Sequence, residues 1–141
     1  MIITSRENKI FKTAKLLKTS KGRTEKNMFL IEGMRSVCDA MKKGAHFECV
    51  LLKDGTSIDF NVDSPVYTLA PKLFDEIAET VTPQGVIALC TMKKASLKDI
   101  LSRGSDCVIM CEKLQDPGNI GTVIRTAHAS FCGGVVLTKG C

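Results

Sequence analysis

Residues 114–127, LQDPGNIGTVIRTA, carry the side chains best placed by type and spacing to do chemistry. The turn Gln115-Asp116-Pro117-Gly118-Asn119 follows an apolar run and feeds a helix expected over about 120–131. Backbone N–H groups at such a helix start, with the positive end of the helix dipole, suit a phosphate or another anion. Loops beyond the carboxyl ends of parallel strands are also where open α/β sheets place ligands. Gly118 and Gly121 leave the helix start uncluttered, and Ile120, Val123, Ile124, Ala127 and Phe131 are expected to form its buried face. Arg125 falls off that stripe. It lies six residues after Asn119, about 9 Å along a helix axis. Helical side chains lean toward the N-terminus, so its guanidinium can return toward the Asn119 amide, and the two can meet over one ligand. The alternative is a simple capped turn with Arg125 as a surface arginine. With no G-x-G-x-x-G and no GK[ST], the segment is neither a dinucleotide fingerprint nor a P-loop.

A second candidate is electrostatic. Residues 1–26 hold eight basic side chains (Arg6, Lys9, Lys12, Lys15, Lys18, Lys21, Arg23 and Lys26) against Glu7 and Glu25, a net +6, whereas the other 115 residues sum to −1. The lysines at 9, 12, 15 and 18 recur beside an Ile10, Ala14, Leu17 stripe, which predicts an amphipathic helix opened by Ser5 as its cap. Thr19-Ser20-Lys21-Gly22-Arg23 then reads as a flexible basic loop. Such a patch neutralises phosphates and releases their counterions. A solvated helix face is the competing reading. A membrane-surface helix is disfavoured, because Phe11 is the one aromatic anchor near the stripe.

These features need elements to hold them. Strands are expected over 28–31, 47–52, 66–69 and 86–90, with helices over 34–43, closed by Gly44, and from Pro71 onward through Leu73, Phe74, Ile77 and Ala78. Strands joined by helical crossovers imply a layered α/β domain. Residues 1–26 form its basic helix and loop and 27–91 its body. Residues 92–105, with Leu97, Ile100 and Leu101 at helical spacing and Arg103-Gly104-Ser105 at the end, read as a linker. Residues 106–141 begin a second unit: a strand over 107–111, the helix carrying Arg125, then Gly133-Gly134 and a strand over 135–137.

Composition removes several function classes. At 44% hydrophobic and 25% charged, the 141 residues are globular rather than disordered. No run of about 18 apolar residues marks a membrane span, and no apolar leader marks secretion, so a cytoplasmic protein is expected. Seven cysteines with no Cys-x-x-Cys read as reduced thiols, with no metal site. His46 is isolated. His128 and Cys132 share a helix face but make too few ligands for zinc and read as packing.

Asn119-x-Gly121-x-x-x-Arg125, within Leu114-Gln115-Asp116-Pro117-Gly118-Asn119, resembles the first motif of the SpoU (TrmH-like) RNA ribose 2′-O-methyltransferases of the SPOUT superfamily. The resemblance continues through Phe29-Leu30-Ile31-Glu32-Gly33-Met34-Arg35, Thr82-Pro83-Gln84-Gly85-Val86-Ile87-Ala88 and the basic opening, which resemble the small RNA-binding domain of that family. It implies an α/β chain: a small mixed-sheet RNA-binding domain, followed by the first β-α-β of a parallel-sheet domain that closes in a trefoil knot. It also implies methyl transfer from S-adenosylmethionine to a ribose 2′-hydroxyl of ribosomal or transfer RNA by a homodimer, without membrane or metal. Arg125 is then the residue acting at the 2′-hydroxyl or its phosphate, and Asn119 shapes the same site. The basic residues from Arg6 to Arg23, with Arg35, are RNA-binding candidates. The family's remaining motifs should follow a strand like 135–137, where only Thr138-Lys139-Gly140-Cys141 stand. The chain therefore reads as an N-terminal portion, cut before the knot. It is expected to bind RNA without catalysing, with the methyl-donor pocket beyond Cys141. The alternatives are a non-catalytic RNA-binding module and a small anion-binding α/β protein unrelated to RNA.

Overall fold

The computed structural model describes residues 2–93, 95–102 and 104–141, in two compact units, Met1–Met92 and Lys93–Cys141. Lys94 and Arg103, both in the segment read as a linker, lie outside the described residues.

The first unit holds β1 (Ile2–Ile3), α1 (Lys9–Leu17), α2 (Ser20–Lys26), β2 (Met28–Glu32), α3 (Met34–Lys42), β3 (Phe47–Lys53), β4 (Val66–Leu69), α4 (Pro71–Ile77) and β5 (Val86–Thr91). Its sheet runs β1-β4-β3-β5-β2, with β1, β4 and β3 parallel and β5 antiparallel to both β3 and β2. The central strands are apolar runs because both their faces are covered. Cys49 and Leu51 of β3 and Ile87 and Leu89 of β5 meet Phe11, Ala14 and Leu17 of α1 and Leu73, Phe74 and Ile77 of α4. Val50, Leu52, Val86, Ala88 and Cys90 meet Val37 of α3 on the other face. A register shift between Phe47 and Cys49 turns Phe47 to that second face.

Three details differ from the sequence reading. Asn8, not Ser5, caps α1: its side chain accepts from Ile10 N at 2.9 Å, while Ser5 Oγ accepts from Glu7 N in the preceding turn. The expected basic loop is instead helix α2, capped by Thr19 Oγ1 accepting from Gly22 N at 3.0 Å. Gly22 is buried so closely on α1 that a Cβ there would stand 2.1 Å from Leu16 O. The two-residue strand β1 carries no periodic signal and was not expected; pairing with β4 creates it.

The second unit holds α5 (Leu97–Leu101), β6 (Val108–Cys111), α6 (Pro117–Ala129) and β7 (Gly134–Leu137). Strands β6 and β7 are parallel, with Val108 opposite Gly134 and Cys111 opposite Leu137. α5 opens on a capping box made by Ser96 and Asp99. Its Ile100 lies on Gly134, where a Cβ would stand 2.8 Å from Ile100 Cγ2. The buried face expected for α6 is narrower than its stripe: Ala127 is buried, but Ile124 is 46% and Phe131 89% exposed. Two strands give this helix little to cover, and the chain leaves the helix at Ala129, with Phe131 at a left-handed φ of 55°. His128, read as packing, is exposed, and Cys107 precedes β6 as an exposed thiol.

Candidate functional site

In the second unit the helix begins earlier than the sequence indicates. Asp116 is the N-cap, its Oδ1 accepting from Asn119 N at 2.7 Å, and Pro117 takes the first helical position. Asn119 therefore stands in the first turn of α6 rather than in the loop before it. Arg125 does fold back along the helix. Its Nη2 donates to Thr122 Oγ1 at 3.1 Å, and Thr122 Oγ1 donates to Gly118 O at 2.9 Å. A Cβ on Gly121 would stand 3.1 Å from Arg125 Nη1, so glycine clears the path of the guanidinium. No hydrogen bond joins Arg125 to Asn119 among the described residues. Thr122, which sequence reasoning passed over, is the residue that orients the fork, and its signal was its i, i+3 spacing from Arg125.

In the first unit the basic residues divide by what already holds them. Arg6 Nε donates to Glu76 Oε1 and Lys15 Nζ to Glu76 Oε2, each at 2.9 Å. Lys12 pairs with Glu7. Lys18 Nζ donates to Glu76 O at 3.0 Å and Ala78 O at 3.1 Å, and Arg23 Nη1 to Leu17 O and Lys18 O. Those two half-buried cations satisfy carbonyls at the ends of α4 and α1. Lys9 and Lys21 are exposed, with no ionic partner among the described residues. Arg35, with its side chain 95% exposed, begins α3 on the sheet face opposite α1, so the structure does not gather it with the others.

Glu76 is the hub that the sequence concealed. Hydrogen bonds from Arg6 and then Lys15 hold its carboxyl below the usual carboxylate range. A carboxyl held low in the folded state stabilises it at neutral pH, and the contribution is lost as pH falls from the ordinary glutamate range through the depressed folded value. The melting temperature is therefore expected to fall more steeply with acid than that of Glu76→Gln, the two curves converging at the lowest pH. Parallel curves would remove Glu76 from the acid limb.

The two upstream motifs meet across β2 and β5. Gly33 takes φ 94° and has no side chain to cap α3; Gln84 Oε1 does so from fifty residues away, accepting from Met34 N at 3.0 Å. Glu32 accepts from Glu79 N at 2.7 Å and from the Thr80 hydroxyl. Gln84→Ala should cost about 1 kcal/mol, a typical loss for a helix cap. Urea unfolding would read it as a lower midpoint at unchanged slope; an unchanged midpoint would contradict it.

Burial pushes the Cys49 thiol up to about 11, which makes it inert. Among the described residues no cluster of three His, Cys, Asp or Glu suits a metal ion, and no helix is long and apolar enough to cross a membrane.

Residues 8–88 match the family described as MRM3-like substrate binding domain. The chain is 38% identical over 140 residues to the 23S rRNA (guanosine(2553)-2′-O)-methyltransferase RlmP of Bacillus subtilis, covering 98% of this chain and 54% of that protein. It is 30% identical over 138 residues to human mitochondrial rRNA methyltransferase 3, covering 89% of this chain and 32% of that one. Among solved structures, the SpoU methyltransferase AviRb from Streptomyces viridochromogenes in complex with AdoMet superimposes with a TM-score of 0.80 at 26% identity. That match covers 93% of this chain and 53% of AviRb. A crystal structure of an RNA 2′-O ribose methyltransferase matches all of this chain and 57% of its own, at TM-score 0.77 and 26% identity. The chain thus spans about half the length of RlmP and of these solved relatives. With a mixed α/β fold common to solved SpoU methyltransferases and a matched segment filling more than half its length, the chain belongs to the MRM3-like substrate-binding-domain family.

Proposed function

We propose that this chain is the RNA-binding and site-opening half of an S-adenosylmethionine-dependent rRNA ribose 2′-O-methyltransferase. The observation that carries the reading is the similarity to RlmP, which runs through 98% of the chain and so includes both units. In this reading residues 1–26 and 27–91 form the RNA-binding domain, and 106–141 open a parallel sheet that the trefoil knot closes in the complete enzyme. In this reading the complete enzyme is a homodimer, and its place of work is the cytoplasm.

Arg6, Lys9, Lys12, Lys15 and Lys21 supply phosphate contacts. Arg6 and Lys15 now pair with Glu76 and Lys12 with Glu7, through exposed cations that can turn instead to a polyanion. Lys18 and Arg23 position α1, and Arg35 contacts RNA only where it reaches the opposite face. Arg125, held by Thr122 over Gly121, meets the ribose phosphate or 2′-hydroxyl at the Asn119 turn. There a fixed cation orients the nucleophile and stabilises the charge that develops as it loses its proton.

S-adenosylmethionine would supply the methyl group, but the residues of the second unit do not fit it. Among the described residues, a cavity of about 450 Å³ lined by Ser105, His128 and Cys132 lies at the C-terminal end of α6, away from Asn119. We assign the donor pocket to the part of the relatives that this chain does not span.

The 141-residue chain is expected to bind rRNA fragments with affinity falling steeply in salt, and to transfer no methyl group when given S-adenosylmethionine. Methyl incorporation by this chain alone, or binding indifferent to salt, would overturn the reading. Glu76→Gln, which releases Arg6 and Lys15, should bind RNA more tightly than wild type.

A further inference from the structure

We propose that Cys107 and Cys132 form a redox-active dithiol, which a small-molecule disulfide converts into a staple closing the β6-α6-β7 unit. The inference is independent of any role in RNA methylation. Cys107 stands just before β6 and Cys132 just after α6, twenty-five residues apart in sequence, with their sulfurs at 3.6 Å. The backbone holds both sides of the pair. Gly133 N donates to Cys107 O at 2.9 Å. The Ser105 hydroxyl lies 3.2 Å from Phe131 O and 3.3 Å from Cys107 O, and it accepts from Cys107 N at 3.4 Å. Both flanks are pinned by hydrogen bonds, and the sulfurs have to close from 3.6 Å to the bonded distance of about 2.05 Å.

The pair is also reachable. Cys107 is exposed, and Cys132 lines the open cavity together with Ser105, His128, Ala129, Phe131 and Gly133. Of the other cysteines, Cys49, Cys90 and Cys111 are buried, and Cys141 Sγ lies 3.3 Å from the Cys111 carbonyl oxygen. The Cys132 thiol donates to Cys107 Sγ, and that hydrogen bond pushes its own pKa up. Cys107 is the more exposed of the two sulfurs and so meets the reagent first, with Cys132 resolving.

In the first step Cys107 gives its proton to solvent, and its thiolate attacks one sulfur of the reagent R–S–S–R. A protein–S–S–R bond forms as the reagent's S–S bond breaks, and the departing thiolate takes up a proton as R–SH. Cys132 then loses its proton and attacks Cys107 Sγ, expelling a second R–SH. Two protein thiols are oxidised by two electrons, and one reagent disulfide is reduced to two thiols.

The test treats the folded 141-residue chain with oxidised glutathione, alkylates the remaining thiols in denaturant and maps the cysteines by mass spectrometry. The expected product has one linkage, Cys107 to Cys132, with all other cysteines alkylated, and dithiothreitol reverses it. Amide exchange in β6, α6 and β7 should slow by roughly a hundredfold through the closed loop. Cys132→Ser should halt at a stable glutathione adduct on Cys107. Unlinked Cys107 and Cys132 in the treated wild type, or a linkage through Cys111 or Cys141, would overturn the proposal.

Discussion

Replacing Lys9, Lys12, Lys15 and Lys21 together by glutamine is expected to flatten the salt dependence of RNA binding. Each phosphate neutralised contributes a slope of roughly 0.7 to 0.9 in log affinity against log salt, so losing four lowers it by about 3. The advantage of wild type over the variant should then shrink by roughly a hundredfold as salt rises from about 50 to 200 mM. Fluorescence titrations across that range would show it, and equal slopes for the two proteins would sink the assignment of the basic face. Lys18 and Arg23 are kept out of the variant on purpose. Both cations are tied to backbone carbonyls, so removing them tests the fold as much as the interface.

The largest stability effect is expected at Phe11. Its ring is 1% exposed and anchors α1 on the sheet beside Leu51, Phe74 and Leu89. Truncating a buried phenylalanine to alanine loses transfer free energy and leaves a cavity, together costing about 3–5 kcal/mol. Urea unfolding of Phe11→Ala should read that loss; a change below about 1 kcal/mol would mean that α1 is not docked as described. Because α1 carries Lys9, Lys12 and Lys15, RNA affinity should fall with the folded fraction. In the sequence Phe11 only adjoins the Ile10, Ala14, Leu17 stripe, since periodicity marks an apolar side without saying what covers it. In the fold Phe11 is core, and its cation–π neighbour Lys15 stands 5.7 Å above the ring.

Strands β2 to β5 of the first unit were legible because each is a short apolar run between turn residues, and the burial of β3 and β5 on both faces is what those runs encode. α3, α4 and their boundaries were legible through Gly44 and Pro71. α2 was not, because Lys21-Gly22-Arg23 has loop composition; its helix exists because Thr19 caps it and Gly22 fits against Leu16. The return of Arg125 toward the helix start was legible from side-chain lean, whereas Thr122, which holds its guanidinium, gave no comparable signal beyond its i, i+3 spacing. The wide buried face drawn for α6 failed at Ile124 and Phe131, since periodicity cannot tell how much sheet a helix has to cover.

What local order dictates was therefore present in the chain from the start: which segments alternate or repeat, where glycine and proline end them, and that the excess positive charge lies in the first 26 residues. Three matters depended on contacts between residues far apart in sequence. Glu76 claims Arg6 and Lys15 from seventy and sixty-one positions away. Gln84 caps α3 across fifty residues, and Cys107 meets Cys132 across twenty-five. Such pairings follow from sheet order and helix placement, whose free energy is spread over the whole core, and no local pattern records them.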